Sequence, residues 1–427
     1  MTEKRLPTRR YVLLTATATL SKCVLPSRLD AAAVDEGTDR TSPSEPLQAM
    51  IAAQLSRGGP IVIPPGDPLL VRNPVKVPSG VELVIQRDLL GTSTSSLLLE
   101  ERTTLRFDRA RVHDLPLRVL SGTVWISGLN YSGRGHLAAV SIAGPGPYSD
   151  LRIENFQISD ANYGILRQGA KSRLQGAIIR NGTFSRLFGD AIEWNVCVND
   201  NEVIVEDIEI DGIDAPPSKL FWGIGIGFAG HYYNPEWLPE SAVKNFTIRR
   251  IKGRRVRQLI HVENGQNFTI EDIAGTDISE RYSSQSGIEL ASVVCYGCTN
   301  FSVANVNADA RILLISGTLK GRYIVPCSNF EATDLKLSRG DLILEIGGGL
   351  SFARLRNVEL LCGSLKIRGE AKQLELTDLN ITSPSPAMEP LVMERKFLQG
   401  DLARFLPESP TVTKDRVRLR RLGGQAK

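Results

Sequence analysis

Five short segments of the 427-residue chain share an isoleucine flanked by residues that can move protons or grip a ligand. They are Tyr163-Gly-Ile-Leu-Arg-Gln168, Asp190-Ala-Ile-Glu-Trp-Asn195, Trp222-Gly-Ile-Gly-Ile-Gly227, Gln258-Leu-Ile-His-Val-Glu263 and Ser286-Gly-Ile-Glu-Leu-Ala291. Read as strands with the isoleucine inward, their alternation turns its neighbours outward. One outward row then holds Leu166, Glu193, Gly225, His261 and Glu289, and the next holds Gln168, Asn195, Gly227, Glu263 and Ala291. Gly223, Gly225 and Gly227 strip one strand of side chains, so Glu193 faces His261 and Glu263 across a bare floor. Two strand spacings set the flanking carboxylates about 9.6 Å apart, near the ~6.5–9.5 Å at which inverting glycosidases hold their acid and base.

This arrangement predicts a groove with two versions of chemistry. In a hydrolytic version Asp190 or Glu193 protonates a glycosidic oxygen while Glu263, helped by His261, activates water from the other side. In a lyase version a base removes the proton beside a uronate carboxylate, which Arg257 or Arg167 neutralises. A non-catalytic reading uses the same groove to bind a polymer without turnover. The plainest reading leaves the glycines to relieve crowding and the acids to solvate an outer face. Tyr163, Gln168, Asn195 and Gln258 complete the polar lining. An insertion over residues 215–241 adds Phe221, Trp222, Phe228, Tyr232, Tyr233 and Trp237 beside the floor. Rings with polar tips suit the mixed faces of sugars, and Trp222, Tyr232, Tyr233 and Trp237 are the binding rings expected. Arg167 is the anomaly: alternation turns it inward, where an unpaired charge is costly. Either the strand ends before it or it pairs with an acid such as Glu193.

Other motifs carry less. Gly225-Ile-Gly-Phe-Ala-Gly230 matches G-x-G-x-x-G, but Pro235 and Pro239 stand where the helix of a nucleotide-binding unit has to open. His113, His136 and His231 have no supporting constellation. Cys295 and Cys298 form a C-x-x-C with no second pair, so neither a metal nor a cofactor is predicted.

What must position these residues is a repeat. An apolar-x-apolar-x-polar-apolar pattern recurs at 151–156, 203–208, 246–251, 268–273, 301–306, 330–335 and 374–379, with looser copies from Leu174 and Phe352. The polar place is Asn or Asp in each close copy except the one with Arg250. A minimum spacing of about 22 residues with variable additions fits three short strands per coil and loops that leave between them. The fold expected is therefore all-β, a right-handed parallel β-helix. Residues 47–55 read as a short helix capping its first coil. Cys298 and Cys327 each stand three residues before a repeat phenylalanine, in adjacent coils about 4.8 Å apart, as a thiol ladder or a disulfide.

Composition agrees with a folded globular chain, at 42% hydrophobic and 23% charged residues. The formal charge of +4 divides into a net +5 over residues 1–28, +5 over 414–427 and −6 for the body, which argues against a nucleic-acid surface. Arg9 and Arg10 precede an apolar stretch at 11–20 that is too short to span a bilayer. That is the form of a twin-arginine export signal, so the expected location is periplasmic, without stable membrane insertion. The divisions expected are a signal at 1–33, a linker and cap helix at 34–59, the β-helix at 60–390, and a C-terminal cap with a basic tail at 391–427.

The strings ANYGILRQG (161–169), GDAIEWN (189–195), WGIGIG (222–227), AVKNF (242–246) and RQLIHVENG (257–265) closely resemble the WcaM family of colanic acid biosynthesis proteins. The resemblance implies an exported, pectate-lyase-like β-helix associated with a slime exopolysaccharide. Its implied partners are polysaccharide and other exopolysaccharide biosynthesis or export proteins; the reaction stays open. Gly189-Asp190 also looks like the Gly-Asp-Asp element of polygalacturonase-type hydrolases, with Ala191 in place of the second aspartate.

Overall fold

The structure, a computed structural model, describes residues 45–168, 173–195, 197, 200–215, 223–230, 242–282, 290–319, 323–347, 351–369, 372–385, 387–394 and 411–421. Each period-two run is a strand that pairs, parallel and in register, with its counterparts one coil before and one coil after. One sheet stacks thirteen strands among the described residues, from Val75–Val77 to Leu391–Glu394. A larger sheet contains long strands that bend midway, such as Tyr148–Ser159 and Gly265–Thr276. The exception to parallel pairing among the described strands is a hairpin of Gly317–Leu319 with Tyr323–Val325. This is the right-handed parallel β-helix that the repeat predicts, with the hand that parallel crossovers take.

The polar place of the repeat makes the bend. Asn155, Asp207, Arg250, Asp272, Asn305, Asp334 and Asp378 all adopt left-handed backbone, with φ between 50° and 58°. Asn and Asp tolerate that region better than other side chains, which explains their recurrence. They also bond from coil to coil: Asn357 Nδ2 donates to Asp334 Oδ1 at 2.6 Å. The two looser copies are shifted from where the sequence suggested. Register sets Ala177 beside Leu151 and Ala353 beside Phe330. Those copies therefore begin at Ala177 and Ala353, with Asn181 and Asn357 at the left-handed place.

Inside, Phe246, Phe268, Phe301 and Phe330 stack with ring centroids 4.6 to 5.2 Å apart. Phe228 joins them at 4.5 Å from Phe246, and Trp194 lies 5.8 Å beyond it. Phe228 is thus a core ring and not part of an aromatic groove. Outside, one register row alternates in charge as Glu154, Arg180, Glu206, Arg249 and Glu271. Arg180 reaches Glu154 at 2.9 Å and Arg249 reaches Glu206 at 2.7 Å. Like charges stacked at strand spacing repel, so alternation is the arrangement that parallel stacking permits.

The ends are covered by what the chain places there. The helix Pro46–Leu55 buries Leu47 and Ile51 against the first coil. At the other end Thr411–Asp415 and Arg418–Arg421 pair with Gln373–Ser383, so coil stacking continues past residue 390 and much of the expected basic tail is strand. The proposed signal lies outside the described residues. No helix among the described residues is long and apolar enough to cross a membrane. Cys298 and Cys327 are buried free thiols, as is Cys295, so the ladder holds and not the disulfide.

Truncating the middle of the phenylalanine stack tests how much the fold leans on it. Phe268→Ala is expected to cost about 3–5 kcal/mol, read as a lowered thermal midpoint by circular dichroism with the β signal intact beforehand. A loss below about 1 kcal/mol, the scale of an ordinary surface change, contradicts a continuous stack.

Candidate functional site

The chemistry-bearing strands Tyr163–Gln168, Ile192–Asn195, Ile224–Ala229 and Gln258–Glu263 are neighbours in the thirteen-stranded sheet. Ile165, Ile192, Ile226 and Ile260 form the inward column. Register sets Glu193 opposite Leu166 on one side and Gly227 on the other, and Gly227 opposite His261. The floor between acid and base is therefore Gly227 alone. A methyl group built on Gly227 would make only ordinary contacts, with Ile224 Cγ2 at 3.6 Å and the Ile192 carbonyl oxygen at 3.8 Å, although the glycine itself is buried. Ala229, not Gly227, stands beside Glu263.

The other two glycines have different duties. Gly225 faces the interior, where a Cβ would come within 2.5 Å of the Leu259 carbonyl oxygen and 3.0 Å of Ile210. At that place the chain turns a corner, and the residue before each inward isoleucine also points in. Gly223 holds φ at +102°, and its Cβ would meet the Tyr282 carbonyl oxygen at 2.7 Å. Its amide donates to Asp190 Oδ1 at 2.9 Å, and that of Ile224 does so at 2.7 Å. Asp190 is buried and clamps the corner instead of facing a ligand. Burial raises its carboxyl to about 6, against the pull of the Ile224 amide and Arg257.

Glu193 is the half-buried acid on the outer face. Burial of its carboxyl, with the charge of Asp190 and then Glu263 nearby, pushes it up to about 8, although Tyr163 and Asn195 favour the ionised form. Asn195 Nδ2 donates to Oε1 at 3.0 Å, while Oε2 is buried without a hydrogen-bond partner. Across Gly227, His261 Nε2 lies 2.7 Å from Glu263 Oε1 and its Nδ1 lies 2.6 Å from Gln258 Oε1. Gln258 is buried, so it orients the imidazole and does not touch a ligand. Nδ1 faces the Gln258 amide and Nε2 faces Glu263. Tyr296 packs its ring 5.4 Å from the imidazole.

Both arginines expected in the groove are internal. Arg167 is fully buried, and its Nε and Nη2 donate to Asp200 Oδ2 and Oδ1, each at 2.9 Å. Asp200 also accepts from Trp194 Nε1 at 2.9 Å and the Leu174 amide at 3.0 Å. The strand does not end before Arg167, and its partner is Asp200 rather than Glu193. Arg257 is 2% exposed and stands near Asp190 and Tyr296. Tyr163, Gln168 and Asn195 stay half-buried on the outer face as expected. Trp222, Tyr232, Tyr233, Trp237 and Glu289 lie outside the described residues. The strand that follows His261 is Ala291–Tyr296, with Val293 beside Ile260, not the segment around Ile288. An exposed ring outside the repeat patterns is Phe188, just before Gly189. It lies over Gly135, where a Cβ would meet the ring at 2.6 Å.

A second groove, on the bend of the larger sheet, is lined by Asn181, Asp207, Arg250, Lys252, Asp272 and Asn305. Its two cations are paired, Arg250 with Asp207 and Lys252 with Glu209. The outer face around Gly227 differs in holding an acid and a base that are not paired with each other.

Two measurements test these assignments. Asp200→Ala strands a buried guanidinium and is expected to cost about 3–5 kcal/mol, while Arg167→Met with Asp200→Leu recovers most of it; equal losses in both proteins contradict the pairing. The unfolded glutamate has released its proton by about pH 5, whereas folded Glu193 holds its own to about 8. Stability therefore declines as pH rises through that window. Glu193→Gln should flatten the decline in thermal midpoint, and unchanged slopes contradict a neutral Glu193.

A family model described as colanic acid biosynthesis WcaM matches residues 5–408. A protein named colanic acid biosynthesis protein WcaM from Shigella flexneri is 34% identical over 361 residues, covering 81% of this chain and 78% of its own. One of the same name from Salmonella typhimurium strain LT2 is 32% identical over 359 residues, covering 80% and 77%. Among solved structures, the A-module of Azotobacter vinelandii mannuronan C-5 epimerase AlgE6 gives a TM-score of 0.42 at 11% identity, covering 88% of this chain and 94% of that one. The chain belongs to the WcaM family of colanic acid biosynthesis proteins.

Proposed function

We propose that this protein binds an acidic exopolysaccharide on the outer face of the thirteen-stranded sheet and hydrolyses a glycosidic bond there, in the periplasm after twin-arginine export. The observation that carries the reading is Glu193 set two strands from the His261–Glu263 pair, with Gly227, which has no side chain, between them. Its relatives' names supply the substrate class, since they refer to colanic acid biosynthesis.

Each group has a part. Glu193 keeps its proton at neutral pH and delivers it to the leaving glycosidic oxygen. Asn195 holds the carboxyl in place through Oε1. Glu263, 32% exposed and bonded to His261, takes a proton from water on the far side. Tyr163 and Phe188 offer faces for the sugar rings. The hydrolytic version is preferred to the lyase version because the two cations that the lyase version calls on, Arg167 and Arg257, are buried.

Purified protein incubated with the polysaccharide near neutral pH is expected to generate new reducing ends and no unsaturated uronate absorbance. Glu193→Gln should lower the rate about 10²–10⁴-fold with binding retained, and wild-type activity should fall above about pH 8 as Glu193 ionises. Binding without any product, unchanged by Glu193→Gln, defeats the catalytic reading and leaves a module that guides the nascent polymer.

A further inference from the structure

We infer that the outer face of the larger sheet carries a second strip for the polysaccharide, running along the solenoid from Trp125 to Phe352 on a different sheet from Glu193. The inference takes its ligand from the proposed function. It comes from an outward row that lies two residues from the alternating charges.

Register aligns Trp125 with Arg152, Ile178, Ile204 and Thr247. The row continues through Thr269 and Ser302 to Glu331. From Ile178 to Ser302 it is half-buried and carries no charge in five successive coils, although the neighbouring row of the same strands alternates Arg and Glu. Beside it Asn245, Asn267, Asn300 and Asn329 take left-handed backbone, with φ between 51° and 56°. Asn300 Nδ2 donates to Asn267 Oδ1 at 3.2 Å, and Asn329 Nδ2 donates to Asn300 Oδ1 at 3.1 Å. Each of these bonds uses one N–H of an amide that has two. Together the two rows line a groove of about 540 Å³.

Exposed rings mark both ends of the strip. Trp125 is 40% and Phe352 42% exposed. The Phe352 amide donates to Asn329 Oδ1 at 3.2 Å, so its ring stands where the next asparagine of the ladder belongs. Arg152, one coil from Trp125, is exposed and takes part in no ion pair among the described residues. Eight coil steps separate the two rings, about 38 Å along the axis. Rings suit the apolar faces of sugars, while hydroxyls and amide N–H groups suit their oxygens. Arg152 adds a guanidinium for a carboxylate. A protein partner fits less well, because protein interfaces gather their rings and apolar groups at the centre, and amides and hydroxyls fill the groove here. The strip therefore holds polymer while the Glu193 face acts on it.

Calorimetry on Glu193→Gln protein, which leaves the polymer uncut, reads the binding. Adding Trp125→Ala together with Phe352→Ala should weaken the long polysaccharide at least about tenfold and leave short oligosaccharides, held by the Glu193 face alone, unchanged. Thr269→Arg, which sets a long charged chain in the middle of the row, should act likewise, with circular dichroism confirming that each variant is folded. Arg152→Ala should weaken the native polymer severalfold and spare a carboxyl-reduced one. Unchanged binding in the ring variants overturns the strip while the proposed function stands. A concentration-dependent dimer that the same substitutions abolish, with polysaccharide binding intact, gives the strip to a second copy of the chain and overturns it too. Ring-dependent binding without any product from the wild-type protein supports the strip and defeats hydrolysis. Absence of binding in every form overturns both.

Discussion

Parallel stacking in register is the constraint on which the rest of this molecule depends. Every side chain sits about 4.8 Å from its counterparts in the coils before and after, so each position must tolerate its own neighbours. Rings meet that demand by stacking, as in the row from Phe246 to Phe330. Charges meet it by alternating, as from Glu154 to Glu271. Left-handed asparagines and aspartates meet it by bonding coil to coil. The candidate site is where a row departs from these habits. Leu166, Glu193, Gly227, His261 and Val294 share neither size nor charge.

Burial then decides which ionisable groups are left for chemistry. Asp190, Asp200, Arg167 and Arg257 are all buried, Asp190 on backbone amides and Arg167 in an ion pair with Asp200. A buried pair such as Arg167 with Asp200 adds little net stability over an apolar substitute, but removing one partner is costly. Its value here is conformational: Asp200 ties Trp194 and the Leu174 amide to Arg167, and Trp194 is the immediate neighbour of Glu193. The acid on the outer face is thus held by a network beneath it, while the same low-dielectric surroundings keep its own carboxyl neutral.

Much of this was legible in the sequence because strand alternation is a strict rule. The inward column at Ile165, Ile192 and Ile260 and the outward Glu193, His261 and Glu263 follow from period two alone. What parity cannot fix is register. The run Gly-Ile-Gly-Ile-Gly offers Ile224 and Ile226 as equivalent partners for Ile192, and a slip of two residues keeps every face unchanged. Alternation alone therefore puts Gly225, not Gly227, between Glu193 and His261. Corners were equally hidden, since two successive inward residues such as Gly225 and Ile226 break the alternation on which the reading relied. The partner of Arg167 was out of reach for another reason: Asp200 is 33 residues away and belongs to no repeat.

The single bare residue between acid and base has a consequence for how such a site can change. Across a solenoid, separations come in whole steps, because a group can be moved along the axis only by adding or removing a coil. The gap from Glu193 over Gly227 to His261 is therefore quantised. Drift in sequence can fill it, by giving Gly227 a side chain, or leave it empty, but cannot widen it by an ångström. A lineage that needs a different span has to recruit a neighbouring coil as the new floor.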